Sequence, residues 1–543
     1  MSYAHAVVAR LAHHGVETVF AIPGTHNLEL FRALSAHGIS IVPAHHEQGL
    51  GYAADAYSRV TGRPAVVLTT TGPGITNLIT ALATSAAASV PVLAIAPGLP
   101  DEALGGGAGW LHELPDQLGL MRQVVRAHRA ASSSDAVGFI DRCVEAWATE
   151  RPLPAYLELP LDVLAGPADA EPGAAAAPPE TTAPRDRAER AGDADGIRAA
   201  GELLAAAERP LIVAGRGACG PLAATLLRRI AEALRAPVLT TANAKGVLDE
   251  RHPLACGVAL RTAAAARMIS ESDGVLVVGS DLGSSEFWGR PGIRGDQLVR
   301  VDVDARGLRA NVDPAIPLLG RAEEVLEALS SRLDSRTVDA AQSPEEPRHW
   351  AERHAGDIRA ELAADGAPYA GFHTVMQEEL GGLDVAVTGD SSQASYFGTA
   401  SFWTSDRPNR FLYPAGFGTL GYAVPAAIGA AIGGEADRVL AITGEGGLLF
   451  SVQELATVSE LGLPLITVVF VNGGYQEILE GMQERGIRPA GVAFESPDFA
   501  ALAAAFRMHA ESVVADRGAE DAFRDALRRA IALDRPALIE VRL

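Results

Sequence analysis

Between Gly444 and Tyr475 the chain reads GEGGLLFSVQELATVSELGLPLITVVFVNGGY, and this segment limits the possible folds more than any other. The apolar run Arg438–Thr443 before it reads as a strand, and Gly444, Glu445, Gly446 and Gly447 as a tight turn. Phe450–Leu461 repeats apolar residues at helical spacing, and Leu465–Val471 is an unbroken apolar strand ended by Asn472. Strand, helix and strand in this order make a βαβ unit with parallel strands. Glu445 and Asn472 then leave the carboxyl ends of two parallel strands on one edge, where open α/β sheets bind ligands. A carboxylate, an amide oxygen and glycine backbone meeting there suit a hard cation that holds a phosphate. Glycine N–H groups at a helix start suit the phosphate itself.

The chain of 543 residues is too long for one core and suggests roughly three domains. A net charge of −22 argues against nucleic-acid or anionic-membrane partners. Cys143, Cys219 and Cys256 form no CxxC pair and read as buried, reduced thiols of a cytoplasmic protein. The N-terminal segment MSYAHAVVARLAHHGVE reads as an amphipathic helix without the apolar core of a signal peptide. No apolar stretch is long enough to span a bilayer.

Two segments rich in Ala, Pro and charge, Gly166–Gly196 and Asp334–Pro347, read as linkers. They divide the chain into domains 1–165, 190–333 and 350–543. Each alternates short apolar strands with helices, the pattern of parallel α/β sheets. The expected strands are Thr18–Ile22, Ile39–Pro43, Ala65–Thr69 and Val90–Ala94; then Pro210–Ala214, Pro237–Thr240, Gly274–Val278 and Gln297–Val303; then Val385–Thr388, Arg438–Thr443, Leu465–Val471 and Ala537–Val541. The outer blocks share a layout without a visible residue-level repeat.

The GEGG…VNGG segment resembles the metal–diphosphate motif of thiamine diphosphate (ThDP) enzymes, written GDG…NN. In that family an acid, an Asn 27 positions later and a carbonyl two beyond hold Mg²⁺; the matching positions are Glu445, Asn472 and Gly474. Two departures stand out: Glu445 replaces the usual Asp, and Val471 replaces the first Asn. The order strand–His45-His46-Glu47–helix–strand–Thr71-Gly72-Pro73-Gly74-Ile75-Thr76-Asn77 resembles the family's pyrimidine-binding domain. The fold implied is α/β, with three doubly wound parallel-sheet domains: pyrimidine-binding, central and diphosphate-binding.

The resemblance makes Glu47 the catalytic glutamate. Hydrogen-bonded to the aminopyrimidine, it drives an imino tautomer that removes the thiazolium C2 proton, and this implies a partly buried Glu47 with a raised pKa. Pro73 and Asn77 fall beside the cofactor. The turn Ala415–Tyr422 places Leu420 as the wedge that bends ThDP and the Gly418 carbonyl as acceptor for its 4′ amine. Gly444, Gly446, Gly447, Ser392 and Gln393 would line the diphosphate. Each site would lie between Glu47 of one subunit and Glu445 of another, in a homodimer or homotetramer.

Gly215–Gly220 (GRGACG) after an apolar strand is a formal GxGxxG. The next strand ends Thr240-Thr241-Ala242-Asn243, without the acid a dinucleotide site wants. The family's central domain sometimes uses related surfaces for FAD or ADP, and FAD is the disfavoured reading here.

Gly109–Gln117, with NGGYQEI and RGIRPAGVAFESPDF, is similar to the acetolactate synthase-like branch, and within it to 5-guanidino-2-oxopentanoate (2-ketoarginine) decarboxylases. His112 would stand near the reacting carbon as a polar or proton-transfer residue; Glu113 or Asp116 would meet a cationic tail. Ile478 occupies the position of a catalytic Glu in pyruvate decarboxylases. Gly98, and an Ala86–Ala88 run lacking an acid, depart from biosynthetic acetolactate synthases. The implied reaction is Mg²⁺-dependent decarboxylation of a 2-oxo acid through a ylid and an enamine, releasing an aldehyde. The alternatives are a carboligase joining the enamine to a second carbonyl compound, and a non-catalytic relative that has kept the fold.

Overall fold

Among the described residues, eighteen strands, every ladder between them parallel, build three sheets of six. The computed structural model describes residues 2–169, 194–334 and 345–543. The first sheet holds β1 (Thr18–Ala21), β2 (Ser40–Val42), β3 (Ala65–Leu68), β4 (Val92–Gly98), β5 (Arg126–Arg129) and β6 (Ala155–Pro160), in the order β2-β1-β3-β4-β6-β5. The second holds β7 (Pro210–Ala214), β8 (Val238–Thr240), β9 (Ala255–Gly257), β10 (Gly274–Val278), β11 (Leu298–Asp302) and β12 (Ile316–Leu319), in the order β12-β11-β10-β7-β8-β9. The third holds β13 (Val385–Gly389), β14 (Phe411–Leu412), β15 (Arg438–Gly444), β16 (Leu465–Val471), β17 (His509–Val514) and β18 (Ala537–Arg542), in the order β14-β13-β15-β16-β18-β17.

Renumbered within each sheet, the first and third share one topology, 2-1-3-4-6-5, so the similarity of the outer blocks is one of strand order. The central sheet has the doubly wound 3-2-1-4-5-6 order of dinucleotide folds. All twelve strands expected from the sequence are present within one or two residues, except that β4 extends to Gly98. The two segments read as linkers fall largely outside the described residues; the helices Ala194–Ala206 and Glu345–Asp365 begin inside them.

The outer domains meet along two helices. Helix Glu47–Thr61 is buried along most of its length, and it packs on helix Ala423–Gly433, whose sequence AVPAAIGAAIG offers only small and branched apolar side chains. Close approach is required at Gly429, where a Cβ would run into the carbonyl of Ala53. Polar groups lock the same seam. Arg59 and Asp55, both fully buried, pair at 2.7 Å, and the Tyr422 hydroxyl donates to Asp55 at 2.6 Å. Arg59 also donates to Asn243 Oδ1 (2.8 Å) and to the Tyr413 carbonyl (3.2 Å), so one guanidinium ties all three domains. A buried ion pair of this kind is destabilising to break from one side only.

Lys245, the single lysine of the sequence, is buried between the central and third domains. Its ammonium donates to both oxygens of Glu250 (2.7 and 2.6 Å) and to the Ala400 carbonyl (3.0 Å). The three thiols are free; Cys143 and Cys219 are buried, while Cys256 is only partly covered. Among the described residues no helix is long and apolar enough to cross a membrane.

The Gly429 contact makes a direct prediction. Gly429→Ala forces the two helices apart and should lower unfolding stability by about 1–3 kcal/mol, read as a shift of the denaturation midpoint; an unchanged midpoint would show that the seam yields freely.

Candidate active site

β15 and β16 run side by side from Val439↔Leu465 to Gly444↔Phe470 and deliver Glu445 and Asn472 together at the carboxyl edge of the third sheet. The turn after β15 is itself helical, Glu445–Leu448, and the expected helix Phe450–Leu461 shortens to Glu454–Glu460. The reason is packing: Leu449 and Phe450 point outward, 37% and 53% exposed, and cannot hold a helix against the sheet. As the first turn of a helix, Gly446 and Gly447 have no intrahelical acceptor for their N–H groups.

The Glu445 side chain is buried and closes the loop after β16. Its Oε1 accepts from the N–H groups of Gly473 (2.6 Å), Gly474 (2.7 Å) and Asn472 (3.0 Å), and from Ser496 Oγ (3.3 Å). Oε2 takes only the 3.1 Å contact from Asn472 N–H. Asn472 Oδ1 is buried and has no hydrogen-bond partner. An orphaned amide oxygen beside a carboxylate with one underused oxygen is an incomplete donor set, since buried polar atoms are otherwise paired. Among the described residues no three His, Cys, Asp or Glu side chains converge, so a cation here would rest on a carboxylate, an amide oxygen and backbone carbonyls, the hard donors of Mg²⁺.

Asp390, at the end of β13, supports the turn from below. It is fully buried and accepts from Thr443 Oγ1 at 2.9 Å; burial pushes its carboxyl up to about 6. A Cβ on Gly447 would strike this carboxylate, and a Cβ on Gly446 would come within 2.7 Å of the Tyr475 ring. The turn is therefore glycine because protein fills the space behind it. Its open side faces a cleft of about 480 Å³.

That cleft gathers ten of the residues expected from the sequence: Ser392, Gln393, Gly418, Leu420, Gly444, Glu445, Gly446, Gly447, Asn472 and Gly474. Gln393 is turned away from the glycine turn, its amide donating to Glu480 (2.7 Å) and Glu477 (3.2 Å). Glu47, Pro73, Asn77 and His112 do not line the cleft of their own chain. They meet at the carboxyl edge of the first sheet, after β2, β3 and β4. Glu47 is half-buried, and Asn77 donates to its Oε2 at 2.9 Å. His112 has a left-handed backbone (φ 63°), packs its carbonyl on Gly72 and buries an unpartnered Nδ1.

Glu113 and Asp116 each give one oxygen to their own loop. Glu113 accepts from the N–H groups of Gly109 (2.8 Å) and Trp110 (3.0 Å), and Asp116 caps Gly119 N–H (2.7 Å). Both acids shape the loop that holds His112.

Sequence reasoning missed three side chains here. His26, after β1, lies edge-on to His112 with ring centroids 5.1 Å apart, and its Nδ1 is 3.1 Å from Thr71 Oγ1; burial and His112 hold it below the usual imidazole range. Its position at a strand end of the same sheet as Glu47 was the available signal. Gln117 bridges the loop to the sheet, accepting from Gly72 N–H (2.8 Å) and donating to Tyr156 (2.7 Å). Glu454 reaches the start of the Glu47 helix from the third domain.

Four N–H groups of the GRGACG turn are already engaged. Gly215 and Gly217 donate to the carbonyls of Val278 and Gly279, and Ala218 and Cys219 donate within the turn. A second cleft, about 690 Å³, lies beside it between the first and central domains.

Removing the Glu445 carboxylate strips three backbone N–H groups of their acceptor. Glu445→Ala should cost the ligand-free protein about 2 kcal/mol, visible as a lower melting temperature, whereas Glu445→Gln, which keeps an acceptor oxygen, should cost less.

Three family models match the chain in order: the N-terminal TPP binding domain of thiamine pyrophosphate enzymes over residues 1–120, the central domain over 197–329 and the C-terminal TPP binding domain over 390–541. The chain is 38% identical to the probable 2-ketoarginine decarboxylase of Pseudomonas aeruginosa, over 92% of this chain and 87% of that one. It is 30% identical to a probable acetolactate synthase large subunit of Methanocaldococcus jannaschii, over 100% and 92%. It is 28% identical to the acetolactate synthase isozyme 2 large subunit of Escherichia coli, over 100% and 95%. With a glycine turn, a carboxylate and an orphaned amide at the third sheet's edge and a half-buried glutamate at the first's, the chain belongs to the thiamine diphosphate-dependent enzyme family.

Proposed function

We propose that this enzyme decarboxylates a 2-oxo acid and releases an aldehyde, with thiamine diphosphate and Mg²⁺ held between two subunits of a cytoplasmic homodimer or homotetramer. The observation that carries the reading is the incomplete donor set at Glu445 and Asn472, opening into a cleft with its own glycine turn. The residues fit the group. Glu445 Oε2, Asn472 Oδ1 and the Gly474 carbonyl would hold the cation, and Gly446 and Gly447 N–H groups the diphosphate. When bound, thiamine diphosphate supplies a nucleophilic carbon for the 2-oxo group and an electron sink for the departing CO₂.

The chain's own residues do the rest. Glu47 would share a proton with the cofactor's pyrimidine; Asn77 fixes one of its oxygens and leaves the other for that bond. The Gly418 carbonyl would accept from the cofactor's amine, and Leu420 would pack against it. His112, set by Gly72 and the Gln117 bridge, would serve as a polar or proton-transfer residue toward the substrate. Glu47 lies outside the Glu445 cleft of its own chain, which supports a site completed by a second subunit. The substrate class follows the relative from Pseudomonas aeruginosa, whose name specifies 2-ketoarginine.

The acetolactate synthase relatives favour a second reading, a carboligase that passes the bound acyl unit to another carbonyl compound. Incubating the protein, ThDP and Mg²⁺ with pyruvate, branched, aromatic and guanidino 2-oxo acids separates the two. The decarboxylase releases CO₂ and aldehyde in equal amounts; acyloin or acetolactate-type products without aldehyde identify the carboligase. A protein that neither retains ThDP nor turns over any of these acids is the non-catalytic relative.

Glu47→Gln should reduce turnover at least about a hundredfold, the scale of a lost acid–base group, while ThDP still binds. Near-normal turnover would remove Glu47 from its role.

A further inference from the structure

We infer that Glu477 is the group by which the cleft selects a 2-oxo acid with a guanidinium-type cationic tail. The inference rests on the decarboxylase reading and identifies the residue that reads the substrate.

Four charged side chains line the cleft: Arg261, Glu286, Glu445 and Glu477. Three are already engaged. Arg261 pairs with Asp365 and lies over the rings of Phe397 (4.6 Å) and Trp288 (5.4 Å), so its charge is matched within the protein. Glu445 closes the 472–474 loop. Glu286 accepts from Ala242 N–H at 3.2 Å, and burial pushes its carboxyl up to about 7, so it is not a full charge near neutrality.

Glu477 differs. It stands in the first turn of helix Gln476–Glu484, directly after the Glu445-bound loop. A first-turn acid alone would be explained by the helix dipole. Its partners are the informative part. Tyr396 donates its hydroxyl to Oε2 at 2.6 Å, and Gln393 donates its amide to the same oxygen at 3.2 Å. The Gln393 amide is itself fixed by Glu480 at 2.7 Å, and Glu480 is held by Gln476 at 2.7 Å. Burial, reinforced by Glu477, raises the Tyr396 phenol above its ordinary range, which keeps it a donor.

Every group on Glu477 is therefore a neutral donor. Glu477 is exposed in the single chain; among the described residues no Arg, Lys or His pairs with it, and both of its hydrogen bonds go to Oε2. Neutral donors orient a carboxylate without cancelling its charge. The result is an aimed anion with one unshared oxygen on the wall of a substrate-sized cleft. The open Oε1 can accept from a guanidinium N–H, whose charge is spread over a planar group more weakly hydrated than an ammonium. Trp288, 53% exposed and edge-on to Tyr396 at 5.6 Å, already carries the Arg261 guanidinium over its ring at 5.4 Å, so the discrimination rests on the Glu477 charge.

The test compares wild type and Glu477→Gln in the ThDP–Mg²⁺ holoenzyme, with melting temperature and ThDP affinity as folding controls. Two substrates are used, 5-guanidino-2-oxopentanoate and 2-oxohexanoate. The ratio of their kcat/KM values should fall about ten- to a hundredfold in Glu477→Gln, the scale of a charge-assisted hydrogen bond. Tyr396→Phe, which leaves the carboxylate but loosens it, should lower the ratio by less. An unchanged ratio in Glu477→Gln overturns the inference. A calorimetric arm works without turnover: 4-guanidinobutanoate should bind wild type more tightly than hexanoate, and the difference should vanish in Glu477→Gln. If wild type decarboxylates neither acid, the decarboxylase reading fails, and Glu477-dependent binding of 4-guanidinobutanoate would still sustain the cation pocket. Equal binding of the two carboxylates by wild type overturns it.

Discussion

The Glu445 carboxylate holds the turn after β15 to the loop after β16, and the geometry of the site depends on that bridge. Three consecutive backbone N–H groups converge on one oxygen, which curls residues 472–474 and points Asn472 into the cleft. The family's usual aspartate is one methylene shorter. The longer side chain reaches the loop backbone fully and still leaves a second oxygen with a single long contact. The Glu-for-Asp change therefore preserves an anionic oxygen beside the orphaned Asn472 Oδ1. Val471, in place of the first Asn, ends its strand as a buried apolar residue and takes no part in the donor set.

The same economy of position recurs across the molecule. The first and third sheets share one strand order, and each presents its chemistry on loops at the carboxyl edge. The seam between them is the pair of tightly packed helices, one beginning at Glu47 and the other following Leu420. Tyr52 on the first donates to or accepts from Thr419 beside Leu420 at 2.6 Å, so the loop that would bend the cofactor is tethered to the helix that starts at the glutamate. The central domain adds Glu286 and Arg261 to the cleft and has its own strand order.

Most of this was legible in the sequence, and the failures have physical causes. The twelve expected strands are all interior or strongly apolar. Five of the six overlooked ones are sheet edges: Arg126–Arg129 and His509–Val514 are polar, Ala255–Gly257 and Phe411–Leu412 run only three and two residues, and the apolar Ile316–Leu319 carries a proline. The sixth, β6, is interior but carries Glu158, which pairs with Arg129 at 2.6 Å and interrupts the apolar run. The cleft residues could be read because a motif fixes them by spacing. His26, Gln117, Glu454 and Glu477 could not, because their partners are set by tertiary packing. Glu113 and Asp116, acids of the same glycine-rich loop, each give one oxygen to its N–H groups, a contact that the spacing does not show.

The central claim is that Glu445, Asn472 and the glycine turn form a cation-dependent diphosphate site. Calorimetric titration of thiamine diphosphate into metal-free protein, with and without added Mg²⁺, tests it most directly. The account predicts one ThDP per chain with Mg²⁺ and at least about tenfold weaker binding once a chelator removes the metal, since the diphosphate is held largely through the cation. Binding of equal strength with and without metal, or no binding with Mg²⁺ present, would contradict it.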